Sequence, residues 1–187
     1  MAASMDETTF YGLQLLTRPG AVMTPRAATE QLVDAALDEI GERPLRVADV
    51  GTGSGAIAVT LAHLAPQIEL WASDASPDAV ALARENARLH GVCGRINLVH
   101  GDMLEDIPVA LDLIVANLPY LAPADGYEGE PPEAVFSTGD GLDHYRRLLI
   151  AADVHLVPKG LLLIQLHREV LTARREELPL MRAFLAA

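Results

Sequence analysis

The chain has 187 residues, half of them apolar and only 4% aromatic, which excludes a disordered chain and predicts one α/β domain with a core of Leu, Val, Ile and Ala. A net charge of −12 argues against binding nucleic acid mainly through its phosphates, although a local basic patch can coexist with an acidic whole. The acidic N-terminus lacks a signal-peptide pattern, and no apolar run approaches the roughly 20 residues that cross a bilayer. A single cysteine, Cys93, excludes an internal disulfide, and the six histidines are scattered, so we expect a cytoplasmic protein without a metal site.

The first half of the chain alternates predicted helices and strands. Apolar residues at helical spacing predict a helix over 27–40, with Pro25 near its start and Gly41 as its stop. A buried strand over 45–50 leads through a glycine-rich turn into a helix near 55–65, and a second strand follows over 68–73. Ser76 is expected to cap a helix that runs to about His90.

The second half continues the alternation. Strands are predicted over 95–100 and 111–116, a long loop over 118–141, a helix over 142–157 and a fifth strand over 160–166. The tail over 168–187 is rich in Arg, Glu and Leu and is predicted to be helical, with an interruption at Pro179. Strands alternating with helices, several of them continuously apolar, predict an α/β fold whose central, mostly parallel sheet has helices on both faces.

Glycines and acidic residues follow the first two strands, at the edge where parallel sheets bind their ligands. The junction between the first strand and the next helix has the sequence Asp49-Val50-Gly51-Thr52-Gly53-Ser54-Gly55. Glycines let the backbone approach a ligand and adopt positive φ, and the N-terminus of the next helix offers free N–H groups. Asp74 directly follows the second strand, where its carboxylate can accept hydrogen bonds from both hydroxyls of a ribose. These segments predict a cofactor site, and a dinucleotide is one ligand that the glycines could serve.

The next two strand ends also carry polar side chains. Asp102 after the third strand can accept a hydrogen bond from the amine of an adenine, while Met103 or Leu104 packs on the ring. The fourth strand ends in Asn117-Leu118-Pro119-Tyr120, which offers carbonyl acceptors, a stiff turn and a flat aromatic ring. A planar amide or amino nitrogen is a poor nucleophile with two N–H donors, and such a pocket would aim it at an electrophilic methyl group. Hydride transfer has no evident use for this arrangement, so the tetrapeptide favours methyl transfer.

The chain resembles the protein-(glutamine-N5) methyltransferases that modify peptide-chain release factors, within the Rossmann-like class I methyltransferases. The likeness runs from about Met23 to Leu166, includes Thr24-Pro25-Arg26 with Glu30, and is most family-specific over 131–136 and 139–148. The resemblance implies S-adenosylmethionine as the cofactor, with a site formed by Asp49, Gly51, Thr52, Gly53, Gly55, Asp74, Ala75, Asp102, Met103 and Asn117. It also implies that Asn117, Pro119 and Tyr120 are the catalytic residues and hold a protein glutamine or a small amide. The methyltransferase domain is expected over 23–187, after an N-terminal extension over 1–22.

Three features depart from the family pattern. Position 118 is Leu where the family usually has Pro, and Asn-Leu-Pro-Tyr is similar instead to the adenine-N6 dimethylases of ribosomal RNA. The residues before Met23 are too few for the helical domain with which such enzymes dock a release factor. The tail is predicted to be helical where the family has two more strands, so the sheet would lack its last strands, and the tail or a second subunit of a homodimer would cover strand five. Glutamine methylation is the favoured function, and an adenine-N6 methyltransferase of RNA or DNA or a non-catalytic cofactor-binding remnant are the alternatives.

Overall fold

Six parallel strands form the central sheet of the computed structural model, which describes residues 5–122, 130–167 and 182–186. In chain order the strands are β1 (Asp6–Phe10), β2 (Leu13–Thr17), β3 (Arg46–Val50), β4 (Glu69–Asp74), β5 (Ile96–His100), β6 (Leu111–Ala116), β7 (Leu156–His167) and β8 (Arg182–Ala186). The helices are α1 (Glu30–Ile40), α2 (Ala56–Leu64), α3 (Pro77–Leu89), α4 (Pro132–Val135) and α5 (Asp143–His155). The sheet has the order β5-β4-β3-β6-β7-β8. From β3 the chain adds strands toward one edge, and from β6 it adds them toward the other, so the strand order reverses between β3 and β6. In α/β sheets this switch point is where ligands bind.

The two faces of the sheet are buried by different helices, because successive side chains of a strand point to opposite sides. Val47 of β3 and Leu113 of β6 belong to the core on the side of α1 and α2. Ala48 and Ile114, one residue further along the same strands, belong to the core on the side of α5. The predicted α/β fold, with a parallel sheet between two layers of helices, is confirmed. None of the helices in the described part of the chain is long and apolar enough to span a bilayer.

Most predicted boundaries agree with the structure to within two residues. Ser76 caps α3 as expected, since its side chain accepts the N–H of Ala79 at 3.3 Å. The last part of the chain differs more. The strand predicted to begin at 160 begins four residues earlier, at Leu156, directly after the helix that ends at His155.

The helical prediction for the tail is wrong over residues 182–186, and the rest of the predicted tail helix, 168–181 and 187, lies outside the described residues. Residues 182–186 form β8, which pairs in parallel with β7 from Leu163↔Arg182 to His167↔Ala186. Arg, Leu and Ala favour a helix locally, but the unpaired backbone groups along the edge of β7 provide hydrogen-bond partners that a short strand can satisfy. The edge of β7, which is the fifth strand predicted from the sequence, is therefore covered by β8 of the same chain.

A feature that the sequence did not predict is a hairpin of β1 and β2 near the N-terminus, which pairs antiparallel from Asp6↔Thr17 to Phe10↔Leu13. Its apolar face joins the main core through Phe10 and Leu15, both fully buried. The buried side chain of Asn86 on α3 accepts the N–H of Leu16 at 2.7 Å and donates to its carbonyl at 3.0 Å. The same amide donates to the carbonyl of Ser54 at 2.8 Å, so one side chain joins the hairpin to the glycine-rich turn.

Candidate active site

A cavity of about 570 Å³ lies at the carboxyl ends of β3, β4, β5 and β6, beside the switch point of the sheet. The sequence-predicted site residues in its lining are Gly51, Thr52, Gly53, Asp74, Ala75, Asp102, Met103, Asn117 and Pro119. Asp49, Gly55 and Tyr120 are not part of this lining, although each belongs to a segment that contributes to it. The structure therefore brings together the four strand ends that the sequence places at one site.

The glycine-rich turn after β3 is fixed against the neighbouring strand by its backbone. The N–H groups of Gly51 and Thr52 both donate to the carbonyl of Ser73, at 2.9 and 3.0 Å. Gly51 has φ +70°, and a Cβ at this position would lie 2.5 Å from Cδ2 of Leu118. Only glycine combines this backbone conformation with such a close approach. The cofactor turn and the Asn117–Tyr120 tetrapeptide are thus in direct contact.

Asp74 at the end of β4 connects the glycine turn to the start of α3. Its Oδ2 accepts the N–H of Gly53 and its Oδ1 accepts the N–H of Ser76, each at 2.9 Å. Burial raises the pKa of Asp74, and the two N–H groups and His100 oppose that shift. A carboxylate oxygen can accept more than one hydrogen bond, so Asp74 retains acceptor capacity toward the cavity that it lines. The predicted contact with a ribose is compatible with this position and stays a prediction.

Asp49 and Gly55 lie behind the turn and support it. Asp49 is fully buried, and its Oδ2 accepts hydrogen bonds from the hydroxyl of Thr52 at 2.6 Å and the N–H of Ala58 at 3.1 Å. Oδ1 has no partner among the described residues. Burial raises the pKa of Asp49 to about 7, against the opposing effect of its two donors. Gly55 has φ +82° and packs so tightly on α3 that an added Cβ would lie 3.0 Å from the Cα of Ala83.

Asp102 lines the cavity at the end of β5 and is ion-paired with Arg147 of α5. The next residue, Met103, has φ +52°, and its carbonyl accepts a hydrogen bond from the hydroxyl of Ser73 at 2.6 Å. His144 is half-buried in the same lining. Burial and the nearby Arg147 lower the pKa of His144, while Asp102 and Asp143 act in the opposite direction. The net shift in pKa favours the neutral imidazole.

The tetrapeptide after β6 is fixed by two side chains from distant segments. Asn117 donates from Nδ2 to Oγ1 of Thr29 at 3.0 Å. The N–H of Leu118 donates to the hydroxyl of Tyr145 at 3.1 Å, and this hydroxyl also lies 2.7 Å from the carbonyl of Gln165. Asn117, Leu118 and Pro119 line the cavity, whereas the partly buried Tyr120 packs against the core on the α5 side. The catalytic roles of Asn117, Pro119 and Tyr120 stay predictions.

Sequence reasoning missed several residues of the lining, among them Thr29, Phe136 and His144. Phe136 and His144 belong to the two segments with the most specific family resemblance, which gave them a place in the family pattern but no role. Thr29 lies in the 3₁₀ turn Ala27–Thr29 before α1, and no spacing rule connects it with Asn117. Contacts of this kind depend on the folded arrangement, because 88 positions separate the two residues in the sequence.

Comparison with known proteins places the chain in the class that its fold and site indicate, the Rossmann-like S-adenosylmethionine-dependent methyltransferases. A similar solved structure is the ribosomal protein L11 methylase from Lactobacillus delbrueckii subsp. bulgaricus, with 26% sequence identity and a TM-score of 0.63. The match covers 83% of this chain and 68% of that one. Residues 26–183 match the methyltransferase small domain family, and the chain belongs to that family.

Two curated relatives carry the name release factor glutamine methyltransferase. One, from Moorella thermoacetica, is 42% identical over 166 residues, which cover 84% of this chain and 58% of the relative. The other, from Deinococcus radiodurans, is 43% identical over 164 residues, which cover 83% of this chain and 58% of the relative. The predicted resemblance and class are therefore confirmed, while the chain spans little more than half the length of these relatives.

The residues around the cavity fit the predicted cofactor. A volume of about 570 Å³ is within the range of small-ligand sites, roughly 300–1,000 Å³. The glycine turn places backbone rather than side chains beside the cavity at Gly51 and Gly53, and Asp74 supplies a carboxylate for hydroxyl donors. The side chain of Met103 gives the lining an apolar component next to the polar group of Asp102.

Proposed function

We propose that this chain transfers a methyl group from S-adenosylmethionine to the side-chain amide nitrogen of a glutamine in a peptide-chain release factor. The curated relatives at 42% and 43% identity bear the name of that activity. The observation that carries the proposal is the position of Asn117, which lines the same cavity as the glycine turn and Asp74. In this proposal the acceptor for the amide and the site for the methyl donor share one cavity.

Each part of the cavity has a distinct task in this reaction. Asp74 and the glycine turn would hold the cofactor, which supplies a methyl group already activated by its sulfonium. Asn117 would accept a hydrogen bond from the substrate NH₂ through Oδ1, and a backbone carbonyl of the tetrapeptide would accept another. The lone pair of an amide nitrogen is delocalised, so holding this group in the reactive orientation is the main contribution that such a site can make.

The charge of the chain favours a protein substrate over an adenine in RNA or DNA. The net charge of −12 disfavours a duplex bound through its phosphates. Arg147 also forms an ion pair with Asp102, which lines the cavity, and this pair reduces the positive charge available there. A release factor as substrate also implies action in the cytoplasm, where translation ends.

The first test is methyl transfer by the purified chain. It is incubated with a purified bacterial release factor and labelled S-adenosylmethionine, and peptide mass spectrometry locates the product. We expect the mass of one methyl group on a glutamine side chain. Label in the adenines of ribosomal RNA instead would favour the adenine-N6 alternative. Saturable binding of S-adenosylhomocysteine without transfer to either substrate would indicate a cofactor-binding remnant.

Two variants separate the roles of the residues. Asn117→Ala should abolish transfer while the affinity for S-adenosylhomocysteine, measured by calorimetry with NAD as the control ligand, changes by less than about threefold. Asp74→Ala should weaken that affinity by about tenfold or more, because the carboxylate lines the cavity beside the glycine turn. Normal turnover by Asn117→Ala would contradict the role given to its amide.

A further inference from the structure

The described contacts of Asn117 raise the question of which end of its amide faces a substrate. An asparagine amide presents an acceptor at one corner and two donors at the other, and rotation by a half turn exchanges them. A substrate amide nitrogen carries only donors, so the exchanged orientation would set NH₂ against NH₂. An asparagine that serves this reaction must therefore be held in one orientation.

Thr29 contacts the donor end of this amide in the structure. Nδ2 of Asn117 lies 3.0 Å from Oγ1 of Thr29, and no described residue donates to Oδ1 of Asn117. Thr29 is only 5% exposed, so water does not readily replace its hydroxyl, and the residue also lines the cavity. Its backbone N–H donates to the carbonyl of Arg26 at 2.9 Å within the 3₁₀ turn before α1, which fixes the position of the residue.

We infer that Thr29 is a positioning residue, whose hydroxyl accepts a hydrogen bond from Asn117 and thereby presents Oδ1 to the substrate amide. This inference rests on the proposed function for the identity of the substrate. The contact itself is a property of the free protein. Thr29 acts through Asn117 and touches neither the transferred methyl group nor the cofactor in this assignment.

The chain offers matched variants for a test. Thr29→Val replaces the hydroxyl by a methyl group of similar size, and Thr29→Ser retains the hydroxyl. Thr60→Val is the control, because Thr60 is also fully buried but its hydroxyl donates to the carbonyl of Ala56 within α2. All three proteins, with the wild type, are assayed with a purified release factor and S-adenosylmethionine, and their affinity for S-adenosylhomocysteine is measured by calorimetry.

We expect Thr29→Val to lower kcat by about tenfold to a hundredfold, as a small misplacement of a substrate-orienting group does. Its KM for the release factor and its affinity for S-adenosylhomocysteine should stay within about threefold of the wild type, and Thr29→Ser should recover most of the lost turnover. Turnover by Thr29→Val equal to that of Thr60→Val would overturn the inference.

A second readout does not depend on turnover. The side-chain NH₂ signals of Asn117 are identified in ¹⁵N spectra by their loss in Asn117→Ala. In the free wild-type protein one of these protons should exchange slowly with solvent, and Thr29→Val should remove that protection while Thr60→Val leaves it. If protection persists in Thr29→Val, the contact is not the one that orients Asn117. If the wild type does not methylate the release factor but the NH₂ signals respond as expected, the proposed function fails and the positioning contact stands.

Discussion

Replacement of Tyr145 by Phe removes one oxygen atom from the interior and should destabilise the whole domain. Tyr145 is 0% exposed, and burial raises the pKa of its hydroxyl, which therefore stays protonated at any working pH. This group accepts the N–H of Leu118 at 3.1 Å and donates to the carbonyl of Gln165 at 2.7 Å. An orphaned buried N–H costs about 1–3 kcal/mol and a lost hydrogen bond about 1 kcal/mol, so we expect the free energy of unfolding to fall by about 2–4 kcal/mol.

Urea denaturation followed by circular dichroism measures this change, and a thermal scan should show a midpoint lower by about 5–15 °C. Tyr11→Phe is the matched control, because the hydroxyl of Tyr11 donates to Asp34 at 2.7 Å on the surface, where the same deletion costs no more than about 1 kcal/mol. If Tyr145→Phe and Tyr11→Phe unfold at the same urea concentration, the N–H of Leu118 does not depend on Tyr145 for a hydrogen bond, and the expected loss of about 2–4 kcal/mol is refuted.

Two further predictions concern the glycine turn. Gly55→Ala should lower the free energy of unfolding by about 2–4 kcal/mol, because a Cβ at φ +82° would also press on the Cα of Ala83 at 3.0 Å. Gly91→Ala, at φ +68° with no atom within 4 Å, should lose only the backbone part of about 1–2 kcal/mol, and equal losses in urea unfolding would rule out the contact with Ala83. Burial raises the pKa of Asp49 from its ordinary 3.8 to about 7, so the folded chain keeps a proton that the unfolded chain releases. Between about pH 4 and pH 7 the wild type should therefore lose stability relative to Asp49→Asn as the pH rises, and level off above pH 7; parallel unfolding profiles of the two proteins would contradict the shift.

The parts of the fold that the sequence predicts are those with a strong local signal. Leu111–Ala116 is recovered with its observed bounds because an apolar run interrupted only at Asp112, and followed by Asn and Pro, has few alternatives. The hairpin of β1 and β2 lacks such a signal, since each strand has five residues and the two carry polar and apolar residues in irregular order. Residues 182–186 are a strand through their pairing with β7, and the helical preference of Arg, Ala and Leu points the other way.

For the candidate site, too, the sequence predicts some features and not others. The sequence predicts which segments meet, because parallel strands bring their carboxyl ends to one edge. It does not predict which residues of these segments lie outside the cavity lining. Asp49 and Gly55 are in the expected cofactor set, although they support the turn from behind. Nor does it predict Thr29 and Tyr145, whose contacts with the tetrapeptide span 88 and 27 positions of the chain.

The side-chain amide of Asn86 links the stability of the N-terminal hairpin to that of the glycine turn. Leu16 of β2 and Ser54 of the glycine turn hydrogen-bond to the same side chain, so a displacement of that amide changes the contacts of both segments. Coupling of this kind is reciprocal. We expect a ligand that orders the glycine turn to slow the opening of β2, and a substitution that destabilises the N-terminal hairpin to weaken cofactor binding.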